Sequence, residues 1–212
     1  MTNLQKRILT SLVILPLSIF FVVKGGYLLI LFLIFVLFAG IHELYSVFKR
    51  KKYIIFLSLI LILSLLSIYY LRENSWFFLY MALVASISSD VGGYIFGKVF
   101  KWKKLTKISP KKTFSGVFGA YFLSILGVLI YREIYLQNYL GLDVVINFRI
   151  LFLTIIFSTT AQIGDLIISY FKRLEKIKDT GKILPGHGGI FDRIDGLMFV
   201  SILAAILELT NF

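Results

Sequence analysis

The stretch SYFKRLEKIKDTGKILPGHGGIFDRID, residues 169–195, is the one long run of this chain that is polar, charged and rich in glycine. Apolar sequence flanks it on both sides. Within it stand Lys172, Arg173, Lys178 and Asp179, then Pro185, Gly186, His187, Gly188 and Gly189, then Asp192, Arg193 and Asp195. Bases, glycines and carboxylates pinned between two membrane segments point to a site for phosphates and a divalent cation at the bilayer surface.

Outward from this stretch, composition excludes a soluble domain: 58% of residues are hydrophobic and 16% charged, with 21 Phe, and mean hydropathy is +0.89. The fold class expected is all-α, a polytopic integral membrane protein. Apolar runs near 8–23, 27–46, 53–71, 76–97, 114–131, 150–171 and 196–212 predict seven transmembrane helices around a cavity on the cytoplasmic side. We read 1–212 as a single membrane domain, with spans in 1–75 mostly structural and 76–212 the catalytic portion. The absence of cysteine removes thiolate chemistry, and two histidines make a histidine-built zinc site improbable.

The net charge is +12. Alternating the seven segments puts all 23 Lys and Arg on one side except Lys24, Arg72, Arg132 and Arg149. The positive-inside rule then places the N-terminus, the loop from Lys98 to Lys112 and residues 169–195 in the cytoplasm. A contrary count follows if 76–97 or 196–212 does not span. So distributed, the charge is that of a membrane protein, and no nucleic-acid partner is expected. The stretch KVFKWKKLTKISPKKTFSG, between two spans, is expected at the interface, where it gathers anionic membrane lipids.

In chain order, a basic start at Lys6 and Arg7 leads into an apolar run with no small-residue cleavage site, which reads as a retained helix that Pro16 kinks or loosens. Glu43 is either functional or paired with the Lys49 to Lys52 run. Ser86, Asp90, Tyr94 and Gly97 share a helical face that reads as a cavity wall. Gly92 to Lys98, GGYIFGK, nearly reproduces a nucleotide-binding phosphate loop, but Val99 stands where Ser or Thr should hold magnesium and no strand precedes it. Close helix packing is the better account of these glycines. Pro110 is placed to begin a helix whose first turns, with Lys111 and Lys112, would face a phosphate. Ser158, Gln162, Asp165 and Ser169 form a second polar face running down to Lys172 and Arg173.

The order Ser169, Lys172-Arg173, Lys178-Asp179, PGHGG and DRID resembles the signature of the phosphatidate cytidylyltransferases, or CDP-diacylglycerol synthases. Gly164-Asp165-Leu166 and Ile108-Ser109-Pro110-Lys111-Lys112-Thr113 agree with it. Two departures stand out: Ser115 where the family usually has Glu, and Ile168 where it commonly has Glu. The resemblance covers most of the C-terminal two-thirds and implies transfer of the cytidylyl group of CTP to phosphatidate in a bacterial plasma membrane. It assigns catalysis to Asp165, Asp192, Lys172, Arg173 and His187, with Asp165 and Asp192 holding Mg2+ or another divalent cation, beside an additional monovalent cation. It assigns substrate binding to Lys111, Lys112, Ser109, Ser169, Lys178, Gly188, Gly189 and Arg193. A homodimer through lipid-facing helices is compatible with it.

Taken singly, PGHGG is a tight turn, DRID an ion-paired helix start, and Lys172-Arg173 the flank of any cytoplasmic helix end. Their joint spacing favours the enzyme. Competing readings are a transporter for an anionic solute, which lacks recognisable inverted repeats, and a lipid-binding scaffold, which leaves the acids unexplained. An enzyme acting on an isoprenoid ether lipid, or a lipid kinase, would use similar phosphate chemistry. On the favoured reading the Asp192 carboxylate serves chemistry and not burial, so Asp192→Asn should lose turnover and keep its insertion. Val99→Ala, at the false phosphate loop, should leave the affinity for CTP unchanged in a nucleotide-binding titration.

Overall fold

The computed structural model describes residues 3–106, 108–133, 147–181, 183–184 and 188–210. In these, the chain forms α1 (Asn3–Lys24), α2 (Gly26–Val47), α3 (Lys51–Asn74), α4 (Trp76–Phe100), α5 (Phe114–Tyr131), α6 (Phe148–Leu174) and α7 (Phe191–Leu209). Long apolar runs take this form because lipid offers no partner to backbone N–H and C=O groups, and a helix satisfies them internally. Five helices, α2 to α6, are long and apolar enough to cross a membrane. Among the described residues, α1 contributes a shorter apolar part, Leu12–Lys24, and α7 opens on Asp192, Arg193 and Asp195.

Helix boundaries follow the apolar runs closely, with one informative exception. The last helix begins at Phe191 and not near residue 196, so DRID is its first turn. A helix start that carries three charges needs partners for both its charges and its free amides. Those partners come from α2 and α6 and are described below.

Two apolar clusters fill the interior. One gathers Leu71, Leu79, Phe157 and Val200; the other gathers Leu44, Leu57, Ile168, Phe191 and Met198. Outward-facing Phe38, Phe56, Leu66 and Phe118 are exposed, as suits contact with acyl chains. Arg72 closes the α1–α2 turn by donating to Val22 O (2.8 Å) and Val23 O (3.1 Å) while its guanidinium stacks 3.6 Å from the Trp76 ring centroid.

The described parts of the connections 48–50, 101–113 and 175–190 lie at one end of the bundle. Arg50 reaches Glu175 at 3.9 Å, Glu43 meets Ile190, and Lys112 meets Asp165. Helices α4 and α5 make the most extensive pairing in the molecule. It is a contact of backbones: a Cβ on Gly92 would fall on the Gly119 carbonyl, and one on Gly116 would stand 2.9 Å from Gly93 O. Gly92 to Lys98 is thus continuous helix, and its glycines serve packing.

Gly92→Ala should lower the stability of the detergent-solubilised protein by about 1–3 kcal/mol, because neither backbone can yield without parting the helices. Thermal or denaturant unfolding in micelles reads this. The same substitution at Gly93, where an added Cβ meets only Gly116 O at 3.8 Å, involves no such collision.

Candidate active site

A cavity of about 260 Å³ opens between α4, α5, α6 and the 101–113 connection, and its walls include Asp90, Ser109, Lys111, Lys112, Gln162 and Asp165. The connection is folded back on itself. Leu105 N donates to Lys112 O (2.8 Å), Phe114 N to Lys103 O (3.1 Å), and Lys112 N to Ser109 O (3.0 Å). Ser109 to Lys112 is therefore a closed turn, and the helix expected to begin at Pro110 begins instead at Phe114. Thr113 caps it, its hydroxyl accepting from Gly116 N at 3.1 Å. Ser115, one of the two departures from the family pattern, has its hydroxyl 3.0 Å from that of Thr113 and accepts from Trp102 N at 3.4 Å. It fastens the connection to α5.

Lys112 extends across the cavity to α6, where its ammonium lies 2.7 Å from Asp165 Oδ2 and donates to Gln162 O at 3.2 Å. Asp165 Oδ1 accepts from the Ser169 hydroxyl, one turn on, at 3.3 Å. Higher on the same face, the Ser158 hydroxyl reaches Ser89 of α4 at 3.2 Å. Asp90 and Tyr94 of the first polar face read from sequence line the same cavity as Gln162 and Asp165 of the second. Asp90 of α4, Asp165 of α6 and Asp195 of α7 are close enough to act on one another's charge, and Lys112, Lys172 and Arg193 offset them.

A second cluster lies one turn beyond Ser169. Lys172 Nζ donates to Asp192 Oδ1 at 2.9 Å, and both side chains are buried. Asp192 Oδ2 accepts from Thr180 N (2.7 Å) and Gly189 N (3.0 Å). Gly188 holds φ at +90°, and a Cβ there would stand 2.8 Å from Asp192 Oδ2; only glycine suits both demands. Glu43, from α2, accepts from the next two amides, Ile190 N (2.8 Å) and Phe191 N (3.0 Å). It does not pair with the Lys49 to Lys52 run, because its side chain points inward and is buried.

Comparison with known proteins identifies the family. Residues 53–210 match the sequence model of the cytidylyltransferase family. The chain belongs to that family. Two relatives run nearly its whole length: a phosphatidate cytidylyltransferase of Rickettsia conorii is 33% identical over 217 residues, covering 98% of this chain and 92% of the relative. Its counterpart in Rickettsia felis is 35% identical over 218 residues, covering 95% and 93%. A phosphatidate cytidylyltransferase of Staphylococcus epidermidis is 41% identical over 140 residues, covering 66% of this chain and 52% of the relative. The chain thus spans about half the length of that staphylococcal relative.

Within this family frame the expected site residues divide into two groups. Ser109, Lys111, Lys112 and Asp165 line one cavity, and Ser169 joins them through Asp165. Lys172, Asp192 and Gly189 form the second cluster. Arg173 donates to Ile177 O at 2.8 Å and shapes the connection after α6. Lys178 and Arg193 are exposed. His187, with Pro185 and Gly186, lies outside the described residues.

The expectation that the Asp192 carboxylate serves chemistry and not burial needs correction. The side chain is buried and holds an ammonium and two backbone amides, so Asp192→Asn alters the loop as well as any chemistry. Likewise Gly189 N, expected to approach a phosphate, donates to Asp192 in this structure. Sequence reasoning also left out Asp195 and Gln162 as individual site residues. Asp195 was in view as part of DRID, and Gln162 as part of the α6 stripe, but nothing in a linear pattern shows which acid faces which.

Asp192→Ala alone strands the Lys172 ammonium, and should destabilise the protein by about 3–5 kcal/mol. Lys172→Met combined with Asp192→Leu should be less destabilising than the sum of the single changes. A double-mutant cycle of unfolding in detergent measures the difference.

Proposed function

We propose that the chain is a phosphatidate cytidylyltransferase, converting CTP and phosphatidate to CDP-diacylglycerol and pyrophosphate. The observation that carries this reading is the cavity in which Lys111 and Lys112 face Asp90 and Asp165, in a chain whose full-length relatives bear that enzyme's name.

A phosphate oxygen of the lipid attacks the α-phosphorus of CTP, the new P–O bond forms, and the bond to the β-phosphate oxygen breaks to release pyrophosphate. Both reactants are anions. Catalysis is then a matter of neutralising charge and aligning the displacement, with no side-chain nucleophile. Lys112, held by Asp165 at 2.7 Å, is pre-positioned to exchange that carboxylate for a substrate phosphate. Lys111, with the Ser109 hydroxyl beside it, adds charge and a donor on the same wall.

Among the described residues, no three acidic or histidine side chains converge as a metal cage. Asp165, a carboxylate open to the cavity, fits magnesium, which binds through one or two carboxylates and completes its shell with substrate phosphate and water. We assign it first to Asp165, on the cavity wall; Asp192, the second expected ligand, would join only by releasing the Lys172 ammonium from Oδ1, and we place the additional monovalent cation in the same acidic region. When bound, the cation supplies charge to the developing pyrophosphate. We further propose that the loop-bearing end of the bundle faces the cytoplasm of a bacterial cell, since the basic connections gather there, and that its lysines attract anionic lipid.

The test is pyrophosphate release by purified protein in detergent. Release should require CTP, phosphatidate and a divalent cation together, should cease on chelation, and should not occur with ATP or without lipid. Lys112→Met should lower the rate by about 10²-fold. A folded protein that binds CTP yet releases no pyrophosphate would direct the search to another acceptor, such as an isoprenoid ether lipid phosphate.

A further inference from the structure

Glu43 lies outside the stretch that matches the family, which begins at residue 53. Its carboxylate is 1% exposed and takes the amides of Ile190 and Phe191, one on each oxygen, at 2.8 and 3.0 Å. The chain wraps it from the other side too. A Cβ on Gly181 would stand 2.8 Å from Oε1, and a Cβ on Gly189 would fall on Oε2. Gly181 on one side and Gly189 to Phe191 on the other thus close around the end of one side chain contributed by α2.

A carboxylate buried in a bundle without donors is strongly disfavoured, and the first amides of a helix are its natural donors, since the helix end carries partial positive charge. The bond therefore works both ways: it keeps Glu43 inside and it fixes where α7 begins. That start decides where Asp192, Arg193 and Asp195 are delivered, because they occupy the next residues. Asp192 then locks Thr180 and Gly189 from the opposite side.

We propose that Glu43 is a positioning residue for the reaction, holding Gly189 to Phe191, and with them the charged first turn of α7, in the pose that receives the nucleotide. The inference rests on the cytidylyltransferase reading. The nucleotide is the substrate concerned because the triphosphate arrives from water at the end of the bundle where Lys176 and Lys178 are exposed. The lipid arrives along the helices.

Two measurements on membrane-extracted, full-length protein test it. In Glu43→Gln one oxygen is replaced by an NH2 group that opposes a backbone N–H, so amide exchange read by mass spectrometry should rise about tenfold or more in peptides spanning 178–193 and stay unchanged in α3 and α5. In steady-state pyrophosphate release, the KM for CTP should rise about tenfold while the KM for phosphatidate stays within about twofold. A loss of folded enzyme alone would lower kcat and move neither KM. Phe38→Leu, on the lipid-facing side of the same helix, should change nothing.

If Glu43→Gln does not accumulate, Gly181→Ala displaces the same carboxylate without removing it and carries the same two expectations. Unchanged exchange in 178–193, or an unchanged KM for CTP in a folded variant, overturns the proposal. Wild-type protein that releases no pyrophosphate sinks the parent reading instead, and the exchange comparison alone then decides whether Glu43 holds the segment.

Discussion

The structure of this site depends on finding partners for backbone amides where the chain turns back into the bundle. Four of them, on Thr180, Gly189, Ile190 and Phe191, are taken by two carboxylates, Asp192 and Glu43. Each carboxylate is buried, and each would be costly alone. Together with the Lys172 ammonium they make a satisfied polar knot beside the apolar cluster of Leu44, Leu57, Ile168 and Phe191. Three helices, α2, α6 and α7, are thereby tied at one end by hydrogen bonds, where apolar packing against lipid-like surfaces would leave their relative heights poorly specified.

This knot and the neighbouring cavity divide the charged residues between two jobs. Lys172 and Asp192 neutralise one another out of water, and their geometry is set by the loop. Lys112 and Asp165 form the more open pair, with side chains 22% and 28% exposed, and so can change partners at modest cost. Asp195, buried one turn further along α7, packs its backbone carbonyl against Gly164 of α6. Rigidity and exchangeable charge are thus supplied two turns apart on the same helix, α6.

Much of this was legible in the sequence. The apolar runs set the helices to within a few residues because in lipid the length of a segment and its hydropathy are nearly the same constraint. Ser158, Gln162, Asp165 and Ser169 were legible as a face because helical periodicity is local. The glycines of Gly92 to Gly97 were rightly separated from a phosphate loop by one residue, Val99. What escaped was tertiary. Phe191 begins α7 because Glu43, 148 residues earlier, accepts its amide, and no local pattern carries that information. The Ser109 to Lys112 turn was mistaken for a helix start because Pro110 suits both, and only Lys112 N reaching back to Ser109 O distinguishes them. Asp192 resembled a free acid in sequence because its ammonium partner and the amides it binds are 20, 12 and 3 residues away.

The seam between α4 and α5 has a bearing on traffic. Where Gly92 meets Gly119 and Gly116 meets the Gly93 carbonyl, the two backbones leave no room for an added Cβ on Gly92, Gly116 or Gly119, so no acyl tail can slip between them. A two-tailed lipid diffusing in the plane of the bilayer finds that wall sealed along the contact. Under the proposed reaction its headgroup has to reach Lys111 and Lys112 by another approach, with the α4–α5 pair a fixed jamb past which substrate and product both turn.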